Sequence, residues 1–321
     1  MCMKKYDVIA LGELLIDFTE NGKSSQGNPM YEANPGGAPC NVLAMLNRFG
    51  HKTAFIGKIG NDFFGDQLQD AMKEVGIDTI ALARDEEVHT TLAMVHKTEN
   101  GDREFSFYRN PGADMMLARE DIPVEMLEDC KVFHFGTLSM THDGNRCATE
   151  YAVKRAKQSH ALISFDPNLR MALWKDEERL RERVLFGLSV CDVLKISDNE
   201  IQWLTGLEDY SDGVRWIRER FDIPLIFVSM GREGSRAYWK DLMVEEKAYL
   251  RKDTIETTGA GDTFMGCMLH SVLENGIERL EQKKLQEMLS FANCAAAIVT
   301  TRKGALRVMP TVEEVWDTMK L

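Results

Sequence analysis

No apolar run in this sequence approaches the roughly 18 residues that a membrane-crossing helix needs, so no membrane partner is expected. No signal-peptide cleavage site precedes the apolar stretch Tyr6-Asp7-Val8-Ile9-Ala10-Leu11 either, and a cytoplasmic location is expected. The cysteines Cys2, Cys40, Cys130, Cys147, Cys191, Cys267 and Cys294 are odd in number, scattered, and never spaced CxxC. That pattern speaks against a disulfide framework and for free thiols in a reducing compartment. Positive charge is in deficit as well, with 39 Lys and Arg against 51 Asp and Glu and a net charge of −12. With no basic patch to override it, this field repels polyanions, and nucleic acid is not expected as a partner.

Missing motifs narrow the chemistry further. Gly57-Lys58-Ile59-Gly60-Asn61-Asp62 lacks the spacing before the Lys, and the Ser or Thr after it, that a P-loop requires. Gly12-Glu13-Leu14 follows the first strand without a GxGxxG cradle, which weakens a nicotinamide-dependent oxidoreductase. No Ser-His-Asp or zinc signature is evident. His51, His89, His96, His134, His142, His160 and His270 show no HxxxH or HExxH spacing and read as surface or core residues. Internal repeats and low-complexity tracts are absent too.

What is present is ordinary globular material, 44% hydrophobic and 28% charged. A chain of this length buries roughly 75% of its unfolded surface and needs no disulfide or structural metal. After about residue 130, short apolar runs alternate with amphipathic stretches of helical length. The runs are 132–135, 162–165, 193–196 and 225–228, and the helix candidates are 145–158, 177–189 and 213–221. This is the pattern of βα units, and it predicts a doubly wound α/β layer with a mostly parallel sheet flanked by helices. Between 79 and 110 the pattern changes. Thr91–Lys97 and Glu104–Arg109, separated by Glu99-Asn100-Gly101-Asp102, predict a hairpin. With parts of 13–33 it would form a small antiparallel lid over the main body of a single 1–321 domain.

Three places carry candidate chemistry. Thr257-Thr258-Gly259-Ala260-Gly261-Asp262 opens the apolar helical run 264–273. Its glycines permit a tight turn, and the unpaired N–H groups of a new helix make an anion site, with Asp262 at the same terminus. Asn34-Pro35-Gly36-Gly37-Ala38-Pro39-Cys40-Asn41 precedes a helix closing at Gly50. There Gly36-Gly37 admits a ligand close to the backbone, and Asn41 offers a donor and an acceptor to a polyol. The third group is dispersed: Asp17, Asp166-Pro167-Asn168-Leu169-Arg170 and Lys195-Ile196-Ser197-Asp198-Asn199-Glu200 each follow a predicted strand. Ligands of open α/β sheets bind at those strand ends.

Gly36–Asn41 near the start and Thr257–Asp262 near the end, in that order, make the chain resemble the ribokinase-like (PfkB-type) carbohydrate kinases along essentially its whole length. The resemblance implies an ATP- and Mg²⁺-dependent kinase. Asp17, Gly36, Gly37, Asn41 and Arg170 would hold the sugar, Asp262 would be the base, and Gly259, Ala260 and Gly261 would line the anion hole. Lys195 and Ser229-Met230-Gly231-Arg232-Glu233-Gly234 would serve the nucleotide, with Asn293 near adenine. Glu200 matches the acidic end of the family's Asn-x-x-Glu element and would help organise Mg²⁺, although Ser197 stands at its first position. Thr258 and Gly304 would contribute to a monovalent-cation (K⁺) site. Cation-dependent relatives usually have Asp where this chain has Glu256, and Val308 replaces a Ser, so K⁺ dependence should be weak. A homodimer through the lid sheets is the family's expectation.

Phe107-Tyr108-Arg109-Asn110-Pro111-Gly112-Ala113-Asp114-Met115 is similar to the fructokinase lid, with Gly112 in place of Ser, and Arg109 is expected to reach the sugar or its developing phosphate. Fructose, converted to fructose 6-phosphate, is therefore the expected substrate. Ribose, 2-keto-3-deoxygluconate, a nucleoside, and a sugar sensor without turnover all stay open on the sequence.

Overall fold

The computed structural model describes residues 4–97 and 103–320. Its strands are β1 Tyr6–Leu11, β2 Leu15–Lys23, β3 Pro29–Gly36, β4 Thr53–Gly60, β5 Leu82–Asp85, β6 Leu92–Lys97, β7 Arg103–Tyr108, β8 Cys130–Phe135, β9 Leu162–Phe165, β10 Val193–Ser197, β11 Leu225–Ser229, β12 Ser235–Trp239 and β13 Leu242–Glu246. The helices are α1 Ala38–Arg48, α2 Phe63–Glu74, α3 Val124–Glu128, α4 Asp143–Gln158, α5 Glu177–Val190, α6 Asp198–Thr205, α7 Tyr210–Arg218, α8 Ala260–Asn275, α9 Gln282–Val299 and α10 Val312–Met319.

Nine strands form one sheet in the order β13-β12-β11-β10-β9-β8-β1-β4-β5. From β11 to β5 all neighbours pair in parallel, and β12 and β13 close the far edge antiparallel. Parallel strands joined by helices are covered on both faces, so their apolar residues point to both sides rather than to alternate positions only. In β1, Val8 and Ala10 pack into one core with α1, α8 and α9, while Ile9 and Leu11 pack into the opposite core with α4 and α5. Leu225 and Phe227 are divided from Ile226 and Val228 on β11 in the same way. The expected doubly wound layer is therefore present.

β3-β2-β6-β7 form the second sheet. Its two outer pairs are antiparallel, and its central β2–β6 pairing is parallel. The expected hairpin is β6–β7, whereas the turn read at 99–102 lies outside the described residues. Leu82–Asp85, inside the 79–110 segment, extends the large sheet through β4 instead.

One packing detail bears directly on the site. A Cβ on Gly266 of α8 would fall 2.6 Å from Met45 Cβ of α1, so the two helices touch along a glycine. Their close approach brings both N-terminal turns to the same strand ends, one carrying Asn41 and the other Asp262.

Candidate active site

α8 begins after the irregular stretch that follows β13. Gly259 takes the left-handed conformation at φ 76°, and a side chain there would run into Ala305. That turn aims the first N–H groups of α8 outward, where Gly261 and Asp262 have no intrahelical acceptor. Lys195, on β10, stands beside it: a Cβ on Gly261 would lie 3.4 Å from its Nζ. A dipole-bearing helix end and a buried ammonium thus meet at one point, which suits a transferring phosphoryl group.

Asp262 Oδ2 accepts a 2.8 Å hydrogen bond from Asn41 Nδ2. Burial raises its pKa above the ordinary aspartate range, with Asn41, Lys195 and Arg170 pulling it back down. The other amide atom of Asn41, Oδ1, is buried and has no partner among the described residues. Buried acceptors are normally satisfied, so this one is a ready acceptor for a ligand hydroxyl beside the base.

Around the pair opens a cavity of about 890 Å³ that also reaches Asp17, Gly37, Arg170, Lys195, Thr258, Gly259 and Gly261. The sequence-predicted residues from β2, α1, β10 and α8 are thus gathered in one place. Gly36 lies just beneath, where a Cβ would strike Asp17 Oδ2. Gly37 at φ 136° passes so close to the Glu13 carbonyl that no side chain fits.

Other predicted residues take different positions. Arg109 is buried and does not line the cavity. Its Nε donates to Asp114 Oδ2 at 2.8 Å, one terminal nitrogen to Thr141 Oγ1 at 2.9 Å and the other to the Leu138 carbonyl at 3.0 Å. A guanidinium committed in three directions supports the lid base instead of reaching a ligand. Glu200 accepts from the Leu169 and Ser197 N–H groups, both at 2.8 Å, so each oxygen is engaged by backbone. Asn293 accepts from Ser235 Oγ at 2.8 Å and donates to the Glu246 and Lys247 carbonyls at 3.1 Å, fastening α9 to the β12–β13 edge. Ser229 ends β11, Gly231 is left-handed and open, and Gly234 is pressed against the Glu246 carbonyl. The turn these three define carries Arg232 into the cavity wall.

One site residue, Glu13, carries no signal in the sequence beyond its neighbours. Glu13 is buried, accepts from the Ala38 N–H at 2.9 Å, and is pushed up to about 7 mainly by burial. Asp166 is paired with Lys195 at 2.9 Å and likewise raised to about 7, burial outweighing the ammonium beside it. Asp166 is one of the strand-end residues singled out in the sequence, and Arg232 belongs to the 229–234 stretch that the resemblance assigns to the nucleotide.

Residues 5–312 match the pfkB family carbohydrate kinase domain. The chain belongs to this family. Among its relatives, a probable fructokinase-2 of Arabidopsis thaliana is 37% identical over 316 residues, covering 98% of this chain and 96% of the relative. A Xylella fastidiosa fructokinase structure with bound ATP superposes with a TM-score of 0.88 at 30% identity, covering 98% of each chain. A double mutant of the Vibrio cholerae O395 fructokinase, bound to fructose, ADP and potassium ion, gives a TM-score of 0.87 at 29% identity, covering 99% of this chain and 100% of that one. This family member is a sugar kinase of ribokinase-like fold, and no described helix is long and apolar enough to cross a membrane.

Proposed function

We propose that this kinase transfers the γ-phosphoryl group of ATP to fructose, giving fructose 6-phosphate and ADP. The observation that carries the reading is the Asn41–Asp262 pair at the α8 N-terminus, with the unpartnered Asn41 Oδ1 beside it. The fructokinase names of the relatives support the choice of sugar. Asn41, Asp17 and Gly37 hold the sugar, Arg170 approaches from the β9 end, and the reacting hydroxyl gives its proton to Asp262 as its oxygen bonds to phosphorus. Lys195 and the Gly259-Ala260-Gly261 turn take up the charge on the moving phosphoryl oxygens. Ser229, Gly231, Gly234 and Arg232 shape the nucleotide side, and Asn293 positions that edge from behind.

Mg²⁺ would arrive on the ATP phosphates, supplying charge neutralisation and keeping much of its water shell. Glu200 and Asp166 fit it as acidic neighbours through water, since backbone N–H groups hold one and Lys195 the other. We read residues 1–321 as one cytoplasmic kinase domain with its lid. A homodimer through the lid sheets is supported by the exposed Met30, Tyr31 and Tyr108 on that sheet, and sedimentation velocity reads it.

At fixed Mg·ATP, fructose should exceed ribose, 2-keto-3-deoxygluconate and adenosine in kcat/KM. A clear preference for any of the other three, measured by ADP release, rejects fructose as the substrate.

Monovalent-cation dependence should be weak. Glu256 Oε1 accepts from the Gly304 N–H at 2.8 Å, so the carboxylate already ties the 304 turn to the irregular segment before α8. Asp17, Asn34, Thr258 and Gly304 close on it around a cavity of about 20 Å³, which admits one water-sized occupant. K⁺ therefore fits the space, yet the link it would make between these segments exists without it. Rates in K⁺ and tetramethylammonium at matched ionic strength should differ by less than about tenfold, or ~1.4 kcal/mol of barrier. A larger stimulation means that Glu256 serves as a full cation ligand.

A further inference from the structure

No two histidines of the sequence stand at metal-binding spacing. The fold supplies the pairing instead. His51 lies in the loop between α1 and β4, and His270 and Glu274 stand one turn apart on α8. Ligand atoms of these three residues all lie within 4.8 Å of one another. His51 Nε2 and His270 Nδ1 face each other at 2.8 Å, so in the metal-free protein one ring donates its proton to the other.

We propose that His51, His270 and Glu274 form a binding site for a divalent transition metal of the Zn²⁺ class, separate from the phosphoryl-transfer centre. Two imidazoles and one carboxylate suit Zn²⁺, whereas Mg²⁺ prefers an all-oxygen octahedron and keeps its water. Burial lowers the pKa of both rings, against the pull of Asp7 and Glu274 on His51 and of Glu274 on His270, which favours the neutral form a metal needs. The nitrogen of His51 that points away from the cluster, Nδ1, is 3.8 Å from Asp7 Oδ2. Asp7 is itself anchored by the Lys52 N–H at 2.9 Å and Lys131 at 2.7 Å. At that distance the Asp7 carboxylate favours the His51 tautomer protonated on Nδ1 through its charge, which leaves Nε2 for the metal.

The metal would replace the hydrogen bond between the rings, and the displaced proton would move to the outer nitrogen of the same imidazole. Tetrahedral Zn–N bonds of about 2.1 Å place ligand nitrogens ~3.4 Å apart, so the rings must separate by ~0.6 Å. They have room, because His270 and Glu274 border a cavity of about 320 Å³ shared with Phe291 and Trp316. Lys284 borders it too and works against a cation, although its ammonium is 3.5 Å from Glu287. The fourth position opens to that cavity and is left to water. Such a clasp ties the start of β4 to the C-terminal half of α8, ~12 Å along the helix from Asp262. Its effect is on stability, since a ligand of the folded state alone raises the melting temperature by mass action.

Co²⁺ titration of the full chain, followed by visible absorption, tests the site. One Co²⁺ should bind with a nitrogen–oxygen ligand spectrum free of thiolate charge transfer. Zn²⁺ should displace it and raise Tm. Glu274→Gln, at an exposed position, and His51→Gln should each weaken uptake by at least about tenfold. Cys147→Ser, which removes the exposed thiol among the described residues, should leave uptake unchanged. Absence of stoichiometric uptake at micromolar Co²⁺, uptake indifferent to both ligand variants, or a thiolate band lost in Cys147→Ser would each overturn the proposal.

Discussion

Asp262→Asn should reduce kcat by ~10²- to 10⁴-fold, the usual contribution of a positioned general base, while the KM for ATP stays nearly unchanged. The amide matches the carboxylate in shape and leaves the α8 turn intact, but it cannot accept the hydroxyl proton. Asn41 Nδ2 can still donate to the new carbonyl oxygen, so the 2.8 Å contact need not be lost. A circular dichroism spectrum and ATP binding like those of the unmodified protein should accompany the loss of rate. The pH profile supplies a second readout. Burial raises the pKa of Asp262, so ionised base, and with it kcat/KM, is lost as pH falls through a value above the ordinary aspartate range. In the Asn variant that contribution to the acid limb disappears. Glu13 and Asp166 are raised as well, each to about 7, and Glu13→Gln separates the Glu13 contribution. Retention of more than about a tenth of kcat in Asp262→Asn removes this residue from the base role.

The sequence-legible part of this molecule is the part governed by local rules. Strand runs such as 193–196 and 225–228 are continuous because both faces of a parallel sheet are buried, and they fall within β10 and β11. Gly259-Ala260-Gly261-Asp262 is legible because tight turns and helix starts have compulsory residues. Arg109 shows where such reading ends. A cation at the end of a lid strand looks available to a ligand, and only the fold reveals Asp114, Leu138 and Thr141 gathered around it. Glu200, expected to help organise Mg²⁺, also forms a capping box with Ser197, a local pattern visible as Ser-x-x-Glu. His51 and His270 are 219 residues apart, and no spacing rule connects them.

Arg109→Ala should destabilise the folded protein by ~3–5 kcal/mol, the cost of leaving one partner of a buried ion pair uncompensated. Both side chains of the Arg109–Asp114 pair are only 2% exposed, and their closest approach is 2.6 Å. Asp114 also accepts from Thr91 Oγ1, at the start of the lid hairpin, at 2.5 Å. Removing the guanidinium therefore strands a carboxylate and releases two acceptors, at Leu138 and Thr141. The melting temperature should fall by on the order of 10 °C, at roughly 2–4 °C per kcal/mol for a chain near this size. Replacing both partners by apolar residues of similar volume should recover much of that loss, because an absent pair costs less than a broken one. Kinetics should follow the geometry. Leu138 and Phe107 line the cavity on either side of this anchor, so loosening it should raise the KM for the sugar and leave that for ATP almost untouched. An unchanged melting temperature would contradict the anchoring role. Full recovery of stability in the double variant without recovery of the sugar KM would instead show that the guanidinium, despite its three internal bonds, is needed by the sugar itself.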